Sequence, residues 1–119
     1  MQRLVFLLGW VFFLSCTNDN EQDFFQIPCD TDNVFYLASD ETRSISTIIS
    51  NKCIGCHTEG NPPSYLSLET YDDLILFPNL DEIINSEINP MPPIGESPLT
   101  ECEKQQLTNW VNNGLPEYE

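Results

Sequence analysis

The sequence predicts a small all-α domain of three to five short helices. Apolar residues recur mainly at helical spacing, whereas the alternation that is typical of strands is weak. The stretches between the apolar segments contain prolines and glycines, which interrupt regular structure. We assign residues 29–119 to this domain, and about a hundred residues are enough for one hydrophobic core.

The N-terminal residues predict export. Arg3 precedes an apolar run, Leu4 to Leu14, that is long enough for a signal peptide but shorter than the roughly 20 residues of a spanning helix. The Ser15-Cys16 boundary resembles that of a bacterial lipoprotein signal, so residues 1–15 are predicted to be removed and Cys16 to carry lipid. Such a chain is anchored to a membrane without spanning it. The alternative is an ordinary secretory signal and a soluble product.

Residues 16–28 are predicted to be the lipidated cysteine followed by an acidic, flexible tether. The acidic residues after Cys16 (Asp19, Glu21 and Asp23) also resemble the surface-export signals of Bacteroidetes lipoproteins. We therefore expect the protein at the periplasmic face of a bacterial membrane or on the surface of the outer membrane.

The first helix is predicted from Glu41 to about Cys56, with Ser39 or Asp40 as its N-cap. Its apolar face consists of three residues at helical spacing, namely Ile45, Ile48 and Ile49. A loop is expected over residues 58–64, which contain Gly60, Pro62 and Pro63.

The second helix is predicted to follow Ser67 as its cap and to end at Pro78. Four residues would share its apolar face: Leu68, Tyr71, Leu74 and Ile75. A third, short helical turn is predicted to start at Asp81 and to carry Ile83, Ile84 and Ile88.

The last helix has the clearest boundaries. Thr100 and Glu103 have the spacing of a capping box, in which each side chain accepts a hydrogen bond from the other residue's backbone. Gly114 stands where a helix C-terminus favours a left-handed residue. The apolar face is formed by Leu107, Trp110 and Val111, and Trp110 is predicted to lie in the core.

One five-residue motif predicts a cofactor. Cys53, Cys56 and His57 form C-x-x-C-H, the attachment sequence of a c-type haem (heme c). Two thiols at this spacing add to the two vinyl groups of one porphyrin, and the following imidazole binds the iron. The alternatives are a thioredoxin-like redox pair, which would need a βαβ context, and half of a zinc site, which would need further Cys or His ligands nearby.

Met91 is the candidate for the second axial ligand. His57 is the one histidine of the chain, so two histidines cannot bind the iron. The sequence Asn89-Pro90-Met91-Pro92-Pro93 holds Met91 in a stiff, extended segment. Lys104 is a remote second candidate, and the alternative role for Met91 is to fill an apolar gap.

Cysteine counting leaves Cys29 and Cys102 after Cys16, Cys53 and Cys56 have been assigned. In an oxidising compartment we expect them to form a disulfide, which would join the start of the domain to its last helix. The alternative is a pair of unbridged thiols.

With these residues together, the chain resembles small class I cytochromes c, and in particular the single-haem lipoproteins of Bacteroidetes-like bacteria with a planctomycete-type cytochrome c region. The resemblance covers residues 29–119 and is carried by Ile48 to His57, Leu68, Tyr71, Met91-Pro92-Pro93, Gly95, Leu99 to Cys102, Trp110-Val111 and Gly114 to Pro116.

This resemblance implies helices packed around one covalent haem, with His57 and Met91 as the iron ligands. It also implies the Cys29–Cys102 pair and electron transfer without a small-molecule substrate, and thus a protein that is not an enzyme. Two alternatives remain: a haem enzyme or gas- or peroxide-reactive module in which Met91 does not bind iron, and a non-redox binding lipoprotein of a larger envelope complex.

The charge of the chain restricts its partners. Nineteen acidic residues face four basic ones, giving a formal net charge of −15 at pH 7. Such a surface repels nucleic acid, so we expect none as a partner. A basic redox protein would be attracted instead, although general solubility explains the same composition.

Overall fold

The structure, a computed structural model, describes residues 29–60, 66–77 and 79–119. Four α-helices form its framework: α1 (Ile45–Lys52), α2 (Tyr71–Ile75), α3 (Leu80–Ile84) and α4 (Glu101–Asn112). A short 3-10 helix, Glu41–Arg43, precedes α1. Within these ranges the β-type pairing is confined to isolated bridges, so the all-α prediction is confirmed.

The predicted first helix is interrupted at Ser44. That residue has an extended backbone and separates the 3-10 helix from α1. The backbone N–H of Ile45 donates to the carbonyl of Phe35 at 2.9 Å. The Ser44 hydroxyl donates to the backbone carbonyl of Tyr36 at 3.0 Å. With these bonds α1 starts at Ile45, four residues after the predicted start at Glu41.

Of the two predicted N-caps, Asp40 is the one that the structure shows: it caps the 3-10 helix by accepting from the N–H of Thr42. The predicted end of the helix needs a correction. At the other end, α1 stops at Lys52, with Cys53 as its C-cap, rather than continuing to Cys56. The C-x-x-C-H motif therefore follows the helix instead of forming its last turn.

The second and third helices also begin at other residues than predicted. Thr70, and not Ser67, caps α2 through a capping box with Asp73. The hydroxyl of Ser67 instead donates to the Asp73 carboxylate at 3.1 Å, because Thr70 supplies an equivalent cap three residues later. The third helix starts one residue before Asp81, and Ile88 lies beyond it with 87% of its surface exposed.

The end of α2 falls at Ile75. Pro78, which was predicted to stop this helix, lies outside the described residues, as do Pro62 and Pro63 of the predicted loop. Residues 58–60 form the bends and turns that the loop prediction requires.

The predicted boundaries of the last helix are confirmed. Thr100 and Glu103 form the capping box, and the N–H of Thr100 donates to the Glu103 carboxylate at 2.7 Å. At the other end, Gly114 has a φ of 84°. The N–H groups of Gly114 and Leu115 bond back to the carbonyls of Val111 and Trp110, which is the Schellman arrangement of a helix C-terminus.

The core is built around α4, which packs against α1 and α3. Trp110 and Leu107 of this helix are completely buried, and the Trp110 indole N–H donates to the Pro116 carbonyl at 2.9 Å. The buried apolar side chains form one cluster: Val34, Ile45, Ile48, Ile49, Leu68, Leu74, Leu80, Ile84, Leu99, Leu107 and Trp110. Trp110 is thus a core residue, as predicted.

Cys29 and Cys102 form the predicted disulfide, with their Cα atoms 5.7 Å apart. The bridge spans 73 positions of the chain and fixes the first described residue to the first turn of α4. No helix of the described part is long and apolar enough to cross a membrane. The predicted signal peptide, the lipidated Cys16 and the tether lie outside that part.

Candidate functional site

The C-x-x-C-H motif folds into one tight turn directly after α1. The N–H of Cys53 still donates to the carbonyl of Ile49, which continues the helical pattern. The carbonyl of Cys53 then accepts from the N–H of Cys56 at 3.1 Å and from that of His57 at 3.0 Å. The backbone therefore places Cys53, Cys56 and His57 within a single turn, and the two thiols are not joined by a disulfide.

His57 is held by the segment that leads to α2. Its carbonyl accepts from the N–H of Leu68 at 3.0 Å, and its Nδ1 lies 3.3 Å from the carbonyl oxygen of Leu66. A carbonyl only accepts, so Nδ1 is the donor in this contact. Metal-binding histidines commonly have their second nitrogen oriented in this way by a backbone carbonyl.

Cys53 is partly buried and packs against the hydrophobic core. Burial raises the pKa of the Cys53 thiol to about 11, and the nearby Glu103 carboxylate adds to the shift. A catalytic thiol of a redox C-x-x-C pair has a lowered pKa, because the thiolate is the nucleophile. Cys53 therefore does not have the lowered pKa of such a nucleophile.

The zinc alternative needs further ligands close to Cys53 and Cys56. Among the residues that the structure describes, no group of three or more His, Cys, Asp or Glu side chains could hold a metal ion. Cys29 and Cys102, the other cysteines of this part, are already joined to each other.

Met91 lies in an irregular segment between α3 and α4, which comprises residues 86–98 and is called the Met91 segment below. Its side chain is 40% exposed. The segment turns at Pro93–Glu96, where the N–H of Glu96 donates to the Pro93 carbonyl at 3.1 Å and Gly95 has a φ of 105°. Glycine adopts this left-handed conformation without strain.

A cavity of about 480 Å³ lies beside Met91, within the range of roughly 300–1,000 Å³ that is typical of cofactor and small-molecule sites. Its apolar lining includes Ile84, Met91, Ile94 and Leu99, and Lys104 also borders it. Cys53, Cys56 and His57 are not among the residues that line this cavity. The structure therefore groups the three motif residues and keeps Met91 in a separate segment.

Lys52 connects these two regions, and sequence reasoning missed this role. Its ammonium donates to the Ser97 hydroxyl at 2.9 Å and to the Pro98 carbonyl at 3.0 Å. Lys52 immediately precedes Cys53, whereas Ser97 and Pro98 end the Met91 segment. The Leu66 carbonyl beside His57 was missed as well, because every residue has a backbone carbonyl and the residue type does not show which one accepts a hydrogen bond.

No protein-family model, no curated protein and no solved structure matches this chain.

Proposed function

We propose that this chain is an electron-transfer protein with one c-type haem attached through Cys53 and Cys56 and bound axially by His57 and Met91. The observation that carries the proposal is the turn after α1. It combines two unbridged thiols with an imidazole whose Nδ1 donates to the Leu66 carbonyl. These groups fit the chemistry that haem attachment requires.

Each residue of the turn has one task. The thiols of Cys53 and Cys56 would hold the porphyrin: each would add its sulfur and its hydrogen across a vinyl double bond, so that a thioether forms and no group is lost. The hydrogen bond from Nδ1 to Leu66 orients the His57 ring and keeps Nε2 as the donor atom for iron. The haem supplies a one-electron Fe(III)/Fe(II) couple when it is bound.

Met91 supplies the second axial donor in this proposal. A thioether favours ferrous iron, raises the reduction potential and occupies the position at which peroxide or a gas would react. Ligation by Met91 therefore favours electron transfer over catalysis. On this account the protein has a redox partner but no small-molecule substrate.

The surplus of acidic residues supports a basic redox partner. The basic side chains in the described part, Arg43, Lys52 and Lys104, each form an ion pair with a carboxylate of the chain itself. The remaining carboxylates give the surface a negative potential, which accelerates association with a basic protein at low salt. The same potential disfavours nucleic acid.

Export and a lipid anchor at Cys16 complete the proposal, supported by the apolar run and the Ser15-Cys16 boundary. Cys16→Ser tests the anchor in cells labelled with a radioactive fatty acid. We expect the label to be lost and the protein to leave the membrane fraction. Retention of the label would contradict lipidation at Cys16.

Spectroscopy of the exported protein tests the electron-transfer proposal. We expect a low-spin c-type spectrum, reversible one-electron reduction, and a weak thioether–iron band at the red end of the oxidised spectrum. His57→Ala should abolish the low-spin spectrum, and Met91→Leu should remove the red band and let the ferrous protein bind carbon monoxide. Ile88→Leu is the matched control, because Ile88 also lies between α3 and α4, is 87% exposed and does not line the cavity beside Met91.

The outcomes separate the alternatives. High-spin iron that binds carbon monoxide in the unsubstituted protein would favour a gas- or peroxide-reactive module. Exported protein without haem, from cells that have the haem-attachment machinery, would favour a non-redox binding lipoprotein.

A further inference from the structure

The ammonium of Lys52 lies where three segments of the chain meet. It donates to Ser97 and Pro98 and is 4.0 Å from the Glu103 carboxylate. The Lys52 side chain is 17% exposed and that of Glu103 is 22% exposed. An ammonium has three donors and no acceptor, and here three acceptors surround it.

Each of these acceptors lies next to a part of the chain that is anchored in the fold. Ser97 and Pro98 directly precede Leu99, which is buried in the core. Glu103 closes the capping box of α4 with Thr100, so its carboxylate serves the helix terminus and the ammonium together. The neighbouring Cys102 is bridged to Cys29.

The Met91 segment has bonds of two kinds. Those inside it are local: the N–H of Asn89 donates to the Ser86 hydroxyl, and that of Glu96 donates to Pro93. The bonds from Lys52 instead span 45 and 46 positions of the chain. They join the downstream end of the segment to the residue just before Cys53.

We propose that Lys52 is a positioning residue for Met91: by fastening Ser97 and Pro98 to the end of α1, it holds the Met91 segment against the turn that carries Cys53, Cys56 and His57. This inference rests on the proposed function, because it assigns Lys52 a role in keeping the thioether on the iron. Lys52 binds no iron itself in this proposal.

Lys52→Gln in the haem-loaded protein tests the inference. The glutamine amide is shorter and uncharged, so it cannot restore the contacts to Pro98 and Glu103. Arg43→Gln is the matched control. The Arg43 side chain is 16% exposed and likewise joins distant segments, through Asp30, Asn33 and Glu119, but none of these belongs to the Met91 segment.

We expect Lys52→Gln to weaken the red thioether–iron band and to raise the rate of carbon monoxide binding to the ferrous protein about tenfold, the size expected when hydrogen bonds to a charged group are lost. Arg43→Gln should lower the denaturant midpoint while leaving the band and the carbon monoxide rate unchanged. Ser97→Ala removes one of the contacts and should change both signals in the same direction but less.

Equal signals in Lys52→Gln and Arg43→Gln would overturn the inference, since Lys52 would then contribute only to general stability. If Lys52→Gln does not fold, Ser97→Ala decides, and an unaltered band and rate in that variant would overturn the inference. If Met91→Leu abolishes the red band but Lys52→Gln and Ser97→Ala leave it unchanged, the role of Lys52 is refuted and the Met91 ligation stands. A spectrum that Met91→Leu leaves intact refutes the Met91 ligation and the role of Lys52 together.

Discussion

His57 and Met91 lie in segments that are held in opposite ways. His57 belongs to a turn closed by bonds over three and four residues, and its ring is part-buried against the Leu66 carbonyl. Met91 is exposed, and the end of its segment is joined to α1 by a side chain that is distant in sequence.

The bonds that close the C-x-x-C-H turn join residues close in sequence, whereas the contacts that hold the end of the Met91 segment join residues far apart in sequence. The backbone bonds of the C-x-x-C-H turn come from its own residues, from α1 before it and from Leu68 after it. The position of Met91 depends on α3, α4 and Lys52 together. Perturbations of the core and of α4 should therefore affect the Met91 side more than the His57 side.

Trp110→Ala should have the largest effect on stability. Trp110 is completely buried in the helix that packs against both α1 and α3, and removing a buried indole costs about 3–5 kcal/mol. Denaturant unfolding measures this loss. Val111→Ala, on the same helix but only partly buried, is the control and should cost less; equal losses would contradict the central place of Trp110.

Removing the disulfide should have the second largest effect. Replacing Cys29 and Cys102 by serine frees a loop of 73 positions, for which the chain-entropy model gives about 4 kcal/mol. The change should appear as a lower unfolding midpoint, and reductant should lower the midpoint of the native protein but not of the variant. A variant as stable as the native protein would show that the bridge is dispensable.

Thr100→Ala removes the N-cap of α4 and should lower the stability less than the two changes above. The Thr100 hydroxyl accepts from the N–H of Glu103 at 3.2 Å, and losing such a cap costs about 1 kcal/mol. Thr70→Ala removes the equivalent cap of α2. Both should lower stability similarly, but only Thr100→Ala should speed carbon monoxide binding, because Glu103 also contacts Lys52. Equal rates of carbon monoxide binding in Thr100→Ala and Thr70→Ala would contradict the proposed dependence of the Met91 segment on α4.

Acid should loosen the segment beside His57. Hydrogen bonding from Thr70, together with that from Ser67, holds the pKa of Asp73 below its usual value of 3.8. A carboxylate with a lowered folded-state pKa stabilises the fold above its unfolded pKa, and this contribution is lost as the pH falls through the folded pKa. Asp73→Asn should therefore unfold more easily at neutral pH and show a flatter loss of stability below about pH 4. Denaturant midpoints of the native protein and of Asp73→Asn, measured across this pH range, check the prediction. If the two midpoints fall in parallel as the pH is lowered, the prediction is contradicted.

Ile94→Ser should have the smallest effect. Ile94 is 94% exposed, and substitutions at such positions usually change stability by less than about 0.5 kcal/mol. A larger loss in the haem-loaded protein, measured by denaturant unfolding, would show that Ile94 is covered when the cofactor is bound.

The sequence identified the elements whose causes are local. The capping box of Thr100 and Glu103, the left-handed Gly114 and the order of the helices follow from residue types at fixed spacing. The Cys29–Cys102 pair followed from counting cysteines.

Other boundaries depended on contacts that residue identity does not encode. The break at Ser44 arises from backbone bonds to Phe35 and Tyr36. The cap of α2 required a choice between Ser67 and Thr70, two residues with equivalent chemistry. The contacts of Lys52 with Ser97 and Pro98 join positions whose proximity only the packed core creates.

The central claim is that Cys53 and Cys56 carry one covalent haem. The most direct test is peptide mass spectrometry of the exported protein, alkylated with iodoacetamide under denaturing conditions, from cells that have the haem-attachment machinery. We expect the peptide containing Cys53 and Cys56 to gain the mass of one haem and neither thiol to be alkylated, and we expect Cys53→Ser with Cys56→Ser to abolish the gain. A peptide with two alkylated thiols and no added haem would contradict it.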